Sequence, residues 1–411
     1  MGIKIVDLFA GAGGLSEGFV HNGADIVSHV EIDKDCCETL ITRNIYHALR
    51  KKNKLSYYNQ YLSGGISRDE IIKKFSLQKE VDSVIHAEIG EKTYRPLIKK
   101  IKDDLKGSQL DFVVGGPPCQ AYSMIGRARD VRGMKRDKRN YLYKYYIAFL
   151  KALKPKIFLF ENVPGILSAG GNGKYLKDMR RMMAKIGYKT DYRILNAADY
   201  GVPQGRRRII LIGWNKKSKL KQYPNFPMLV RSYKVGDFFS DLPVVGRGEK
   251  SRMSLYRTES PLLKKLGIRD GGENVFDHIT RSHNERDLSI YSIALERHSQ
   301  GERLKYNELP SNLKTHKNER AFLDRYKVVD SGAEAAHTVV AHIAKDGHYY
   351  IHPDRKQLRS LSVREAARIQ TFPDSYRFEG NRTAQFRQIG NAVPPMLAEV
   401  IALTLLQYVK E

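Results

Sequence analysis

The 411-residue chain is long enough for two or three domains and a large apolar core. Its three cysteines, Cys36, Cys37 and Cys119, exclude a disulfide framework; no CxxC or Cys/His cluster suggests zinc, so no metal and a reducing, intracellular setting are expected. Lys plus Arg number 71 against 45 Asp plus Glu, and the excess of +26, interleaved with 24 tyrosines, predicts attraction to nucleic acid.

IKIVDLF reads as a short strand, closed by the glycine turn GAGG and followed by LSEGFVHNG, whose Leu15 and Phe19 share one helix face. IVSHVEID and LDFVVGG are further strands, ending in acidic residues and in glycines. YLYKYYIAFLKALKP predicts an amphipathic helix stopped by proline, and KIFLFENVPG a strand with a polar end. MRRMMAKIGY and TDYRILNA repeat the alternation, and RRRIILIGW adds another strand. Strands that alternate with helices and deliver special residues at their C-terminal ends predict an α/β fold, a doubly wound Rossmann-like sheet over residues 1–214 with ligands at the carboxyl edge. The Lys-rich, helix-patterned stretch between the second and third of these strands is expected as an insertion over about 48–105. No apolar run approaches the roughly 20 residues of a bilayer span, and no basic leader precedes an apolar core, so a soluble protein is expected.

After Trp214 the periodicity dissolves. Residues 215–357, with tracts such as NKKSKLKQYPNFP, are expected to form a smaller, irregular, β-rich domain. LSVREAARIQTF predicts a helix with Arg364 and Arg368 four apart, inside a hinge region of 358–384. An apolar helix from Met396 to Tyr408 closes a C-terminal segment, 385–411, that completes the first domain.

The glycine turn is not a dinucleotide fingerprint, because Ser16 stands at the third glycine position of GxGxxG. Asp7 and Glu17 flank it, which suits a cationic ligand better than a diphosphate. S-adenosylmethionine, with an amino group and a sulfonium and no phosphate, is such a ligand. Glu31, about 20 residues beyond the first glycine, is placed to accept from two ribose hydroxyls. The alternative is a tight turn packed for its own sake.

DLFAGAGGLSEGF, GGPPCQAYS, ENVPG, DYGVPQGRRRIILIG, VREAARIQTFPDSY and GNAVPP, in this order, resemble the motifs of the DNA cytosine-5 methyltransferases, as found in bacterial restriction-modification systems. The resemblance implies transfer of a methyl group from S-adenosylmethionine to carbon 5 of a cytosine flipped from duplex DNA. Cys119 is then the nucleophile at carbon 6, a step that suits a thiolate near cationic residues. Glu161 is the acid toward N3, a carboxyl that burial beside a ring can keep protonated near neutral pH. Arg206 and Arg208 would contact the target's carbonyl oxygen and nearby phosphates, with Arg207 facing away.

Around the cofactor the resemblance places Phe9, Gly11, Gly13, Glu31, Pro117 and Asn391, with Glu88 of HAEIG where the family has an aspartate toward the adenine amino group. It places Pro118, Gln120, Ser123, Asn162, Gln204 and Thr338 in positioning the DNA and the base. Arg127, Arg129 and Arg132 lie in GRARDVRGMKRDKRN, whose seven Arg and Lys residues resemble the family's mobile loop over DNA. Residues 215–357 stand where the family carries its target recognition domain. The implied setting is a monomeric protein of the prokaryotic cytoplasm and nucleoid, paired functionally with a restriction endonuclease. A transfer-RNA substrate and a DNA-binding regulator with a vestigial site are the competing readings; Ser16 weighs against an NAD enzyme.

Overall fold

The computed structural model describes residues 2–118, 141–229, 232–270 and 272–410. Seven strands form one sheet: β1 (Lys4–Leu8), β2 (Asp25–Glu31), β3 (Val84–His86), β4 (Phe112–Gly115), β5 (Ile157–Asn162), β6 (Lys189–Asn196) and β7 (Arg207–Trp214), in the order β3-β2-β1-β4-β5-β7-β6. All run parallel except β7, which lies antiparallel between β5 and β6. The central strands are apolar on both faces, as a sheet covered on both sides requires.

One face is covered by α1 (Gly14–His21) and the C-terminal helix α13 (Pro395–Leu406), packed on Ile5, Phe112, Val114 and Leu159. The other carries α6 (Tyr94–Leu105), α7 (Leu142–Leu153) and α8 (Lys174–Lys185), packed on Val6, Val113 and Phe158. Helices α1 and α13 touch backbone to backbone: a Cβ on Gly18 would lie 2.3 Å from the carbonyl carbon of Ala398. The end of the chain thereby completes the sheet domain begun by its start.

The expected insertion over 48–105 is corrected by two elements. Strand β3 extends the sheet beside β2, and α6 covers the sheet face, so both belong to the sheet domain. The helical insert is only α3 (Leu55–Leu62), α4 (Arg68–Phe75) and α5 (Gln78–Asp82), following the long α2 (Lys34–Lys51). Tyr58, Leu62 and Ile71 pack there against Ile45 and Leu49 of α2 and against Phe276. A three-residue edge strand carries too little periodicity to stand out from a Lys-rich stretch.

The expected β-rich domain is also corrected. Among the described residues of 215–357, strand structure is one antiparallel ribbon of β8 (Met253–Leu255) and β9 (Asn274–Phe276), with isolated bridges. Two helices, α9 (Pro261–Lys265) and α10 (Glu285–Ser299), and several 3-10 turns make up the rest. Order here comes from rings, with Tyr291, Tyr306 and Tyr326 in one cluster, and from buried ion pairs. Helix α11 (Val363–Ile369) is buried along its whole length, including Arg364 and Arg368, and α12 (Arg382–Asn391) follows it. Among the described residues no single helix is long and apolar enough to cross a membrane.

Candidate active site

Parallel register brings four strand ends side by side: Leu8 pairs with Val30 and with Gly115, and Gly115 pairs with Phe160. Neighbouring strands lie about 4.8 Å apart, so the loops that follow share one edge. After β1 the chain turns sharply. Phe9, half-buried, sits at φ 58°, and Gly11 and Gly13 follow at φ 54° and 81°. This left-handed region costs a residue with a side chain about 1 to 3 kcal/mol, so two glycines and one strained aromatic build the turn. A Cβ on Gly13 would come within 2.8 Å of Leu40; one on Gly11 would meet nothing within 4 Å. The turn is therefore closed on one side and open on the other.

Glu31 holds the open side. One carboxylate oxygen accepts from the Gly11 N–H at 2.8 Å, and the other from Ile32 and Asp33 at 2.9 and 2.8 Å. Burial raises its pKa above the usual carboxylate range, against the lowering effect of those backbone bonds. Glu88 lies two residues past the end of β3, where His86 pairs with Glu31, and is exposed at the same edge. Asn391, the last residue of α12, is exposed; the chain just beyond it meets α1, since a Cβ on Gly14 would lie 2.2 Å from the Val393 carbonyl oxygen.

Glu17 does not flank the turn as a ligand-facing charge. It is buried against Arg43 at 2.6 Å and His47 at 3.0 Å. Burial opposes its charge, but these two partners hold its pKa well below the usual range. Asp7 is likewise buried, 3.5 Å from His29. The charge reasoning for a cationic ligand therefore rests on Glu31 alone.

Strand β4 ends in Gly115 and Gly116, and both positions exclude a side chain. A Cβ on Gly115 would overlap the Leu8 carbonyl oxygen at 1.9 Å, and one on Gly116 would meet the Glu161 carbonyl and carboxylate oxygens at 2.4 and 2.8 Å. Asn162 donates to the Pro117 carbonyl at 3.0 Å while its own oxygen accepts from Val163. Pro117 is buried and Pro118 half-buried, so the approach to residue 119 is fixed from β5. Cys119, Gln120, Ser123, Arg127, Arg129 and Arg132 lie outside the described residues.

Glu161 and Arg208 come together across the β5–β7 pair, with Nε to carboxylate at 2.8 Å and both side chains largely buried. The other members of QGRRR go elsewhere. Arg206, expected to touch the target, is fully buried and donates to the carbonyls of Val339 at 2.7 Å and Gly390 at 3.2 Å. Gln204, expected at the DNA, is also fully buried, donating to Ile369 and Gln370 and accepting from the Val339 N–H. These two side chains tie Val339, Ile369, Gln370 and Gly390 to the sheet domain. Arg207 is exposed. Thr338 donates its hydroxyl to the Gly205 carbonyl, at the same junction.

Sequence reasoning missed Tyr376, whose hydroxyl donates to the Ala12 carbonyl and so braces the glycine turn from a segment more than 360 positions away. The tyrosine of FPDSY carries no separate sequence signal of that contact. Among the described residues no group of three or more His, Cys, Asp or Glu side chains is arranged to hold a metal.

The sequence model of the C-5 cytosine-specific DNA methylases matches residues 3–64 and 70–407, a span that includes residues 215–357. The type II methyltransferase M.Bpa9945I of Bacillus paralicheniformis is 43% identical, the match covering 97% of each chain. M.DdeI of Desulfomicrobium norvegicum is 31% identical over 97% of this chain and 88% of its own. In fold the chain is similar to an E. coli prophage protein described as a DNA modification methyltransferase, with a TM-score of 0.67 at 24% identity and full coverage of both. Motif order, sheet and family match agree: the chain belongs to the C-5 cytosine-specific DNA methylase family, among relatives that are type II methyltransferases.

Proposed function

We propose that this chain methylates carbon 5 of a cytosine flipped out of a specific site in duplex DNA, as the modification partner of a type II restriction endonuclease. The observation that carries the reading is the Glu161–Arg208 pair, held at 2.8 Å beside the glycine-proline approach to Cys119 that Asn162 ties down. The residues present fit S-adenosylmethionine. The space above Gly11 is open, and Glu31 holds a buried carboxylate at its rim with acceptor capacity beyond its three backbone bonds. Phe9, Gly13, Pro117, Asn391 and Glu88 surround the same edge. When bound, that cofactor supplies an electrophilic methyl group.

The chain's own residues do the remaining work. The Cys119 thiolate forms a bond to carbon 6, and the electrons of the 5,6 double bond move toward N3, where Glu161 supplies a proton or hydrogen bond. Carbon 5 is then nucleophilic. Once it carries the methyl group, its proton leaves to solvent, the carbon–sulfur bond breaks, the double bond and the thiolate are restored, and the proton taken up at N3 returns to Glu161. Arg208 orients the Glu161 carboxyl and stands next to the ring carbonyl that gains charge. Arg206 and Gln204 act at a distance, by fixing the 338–340 segment against the sheet domain. Flipping costs a few kcal/mol, which binding in the pocket offsets. Methyl incorporation into duplex DNA, and none into transfer RNA, is the expected result with the isolated chain. Bisulfite sequencing of DNA from cells expressing it should show one recurring methylated context; unmethylated DNA would end the reading.

A further inference from the structure

The strands that deliver the candidate active site start at the opposite edge of the sheet, and lysines gather there. Lys154 precedes β5 and Lys189 opens β6. Strand β7 runs antiparallel, so NKKSKLKQY emerges at this edge, with Lys216, Lys217 and Lys219 exposed just past its end. Register joins these segments, because Trp214 pairs with both Ile157 and Lys189. Asn215 bonds the carbonyls of Lys156 and Pro155 at 3.2 and 2.8 Å. Gln109 donates to the Lys154 carbonyl at 3.1 Å and accepts from the Lys217 ammonium at 3.1 Å. Lys219 donates to the Lys410 carbonyl at 2.7 Å, which brings in a lysine four residues beyond the C-terminal helix.

The carboxylates near this edge already have partners, Asp111 with Lys156 at 2.8 Å, Asp25 with Lys51 at 2.9 Å and Asp191 with Arg193 at 2.9 Å. Among the described residues, Lys154, Lys189, Lys216, Lys217, Lys219 and Lys410 have no carboxylate within ion-pair distance. Three adjacent strands span about 10 Å, so this is a dense group of unneutralised ammonium ions. Duplex DNA presents about one phosphate charge per 1.7 Å of axis, and lysine meets phosphate as a point charge without reading bases. Along β5, Glu161 lies four residues beyond Ile157 at this edge, about 13 Å away.

We propose that the amino edge of the sheet is a second, sequence-independent binding surface for duplex DNA, able to hold one segment while the carboxyl edge works on another. It goes beyond the proposed methyl transfer and shares with it only DNA as the partner. Its use would be retention on DNA between target sites, by handing the enzyme from one segment to the next.

The test compares the full chain with a variant carrying Lys154→Gln, Lys189→Gln, Lys216→Gln and Lys410→Gln, all exposed positions. Short duplexes of arbitrary sequence are titrated with S-adenosylhomocysteine present and followed by sedimentation. The wild type should bind two duplexes per chain at low salt and the variant one. For the second duplex on the wild type, log affinity against log salt should fall with a slope of about −0.9 for each contacting lysine. A single duplex on the wild type, equal second binding by the variant, or retention of folded transfer RNA but not duplex at this edge overturns the proposal. Methyl incorporation into genomic DNA, measured on the same preparations, should be unchanged by the four substitutions. Its absence from both proteins would remove the proposed function while the stoichiometry still decides this surface.

Discussion

The sheet domain and the half that follows it are built on different principles. The sheet is held by apolar burial from both faces, with Val6, Val113 and Phe158 on one side and Ile5, Val114 and Leu159 on the other. Residues 215–384 add buried ion pairs to their apolar clusters. Arg368 pairs with Asp241 and with Asp374 at 2.6 Å, Arg359 with Glu365 at 2.7 Å, and Arg377 with Asp277 at 2.6 Å, all nearly without solvent exposure. Apolar burial tolerates small losses, whereas a buried ion left without its partner is costly. Catalytic substitutions at the sheet edge should therefore change rate and spare stability, and substitutions in the charged half should do the reverse.

The largest expected effect is at Cys119. Cys119→Ser should abolish methyl transfer while leaving DNA binding and the unfolding midpoint nearly unchanged, and wild-type turnover in that variant would sink the mechanism. Glu161→Gln should slow the chemical step by roughly 10²- to 10⁴-fold, the usual range for a positioned proton donor. Single-turnover kinetics and cofactor titration separate that loss from weaker binding, and an unchanged rate removes the assigned role.

In the charged half, Arg368→Met leaves Asp241 and Asp374 facing a thioether. The expected loss is about 3 to 5 kcal/mol of stability, read from denaturant unfolding. If the loss stays below about 1 kcal/mol, as for an exposed ion pair, the contrast between the two halves fails. At the seam between them, Gly18→Ala pushes a methyl group into the Ala398 backbone. A cost of roughly 1 to 3 kcal/mol should follow, as for overpacking, with the 398 region relaxing to absorb part of it.

The same division explains what the sequence shows. Apolar runs and glycine turns are local signals, so the sheet, α1 and the strand-end position of Glu31, Glu161 and the GGPP approach to Cys119 are legible in it. Strand β3 is too short to register. Glu17, Gln204 and Arg206 look like ligand-facing groups because nothing in their surroundings names Arg43, Gln370 or Val339 as partners. A charge beside a glycine turn reads the same whether it meets a ligand or a buried arginine. Tyr376 and the ion pairs under α11 are hidden for the same reason, and a region ordered by such pairs carries no periodicity.

The last contrast concerns pH. His278 is almost wholly buried between Ser362, 2.8 Å from Nδ1, and the Pro243 carbonyl, 3.0 Å from Nε2. This pairing suits a neutral ring that donates from Nε2 and accepts at Nδ1. Burial lowers its pKa to about 4, with Glu365 opposing and Arg359 reinforcing the shift. The unfolded chain takes up that proton near pH 6.5, earlier than the folded one. Stability from this group is thus fully present above about pH 6.5 and is lost as pH falls toward 4, at up to about 1.4 kcal/mol per pH unit. His283 and His337, also lowered to about 4, act in the same direction. Denaturant midpoints measured across this window should fall steeply for the wild type and less steeply for His278→Gln. Equal slopes would mean that the burial of this ring is not what ties the charged half to neutral pH.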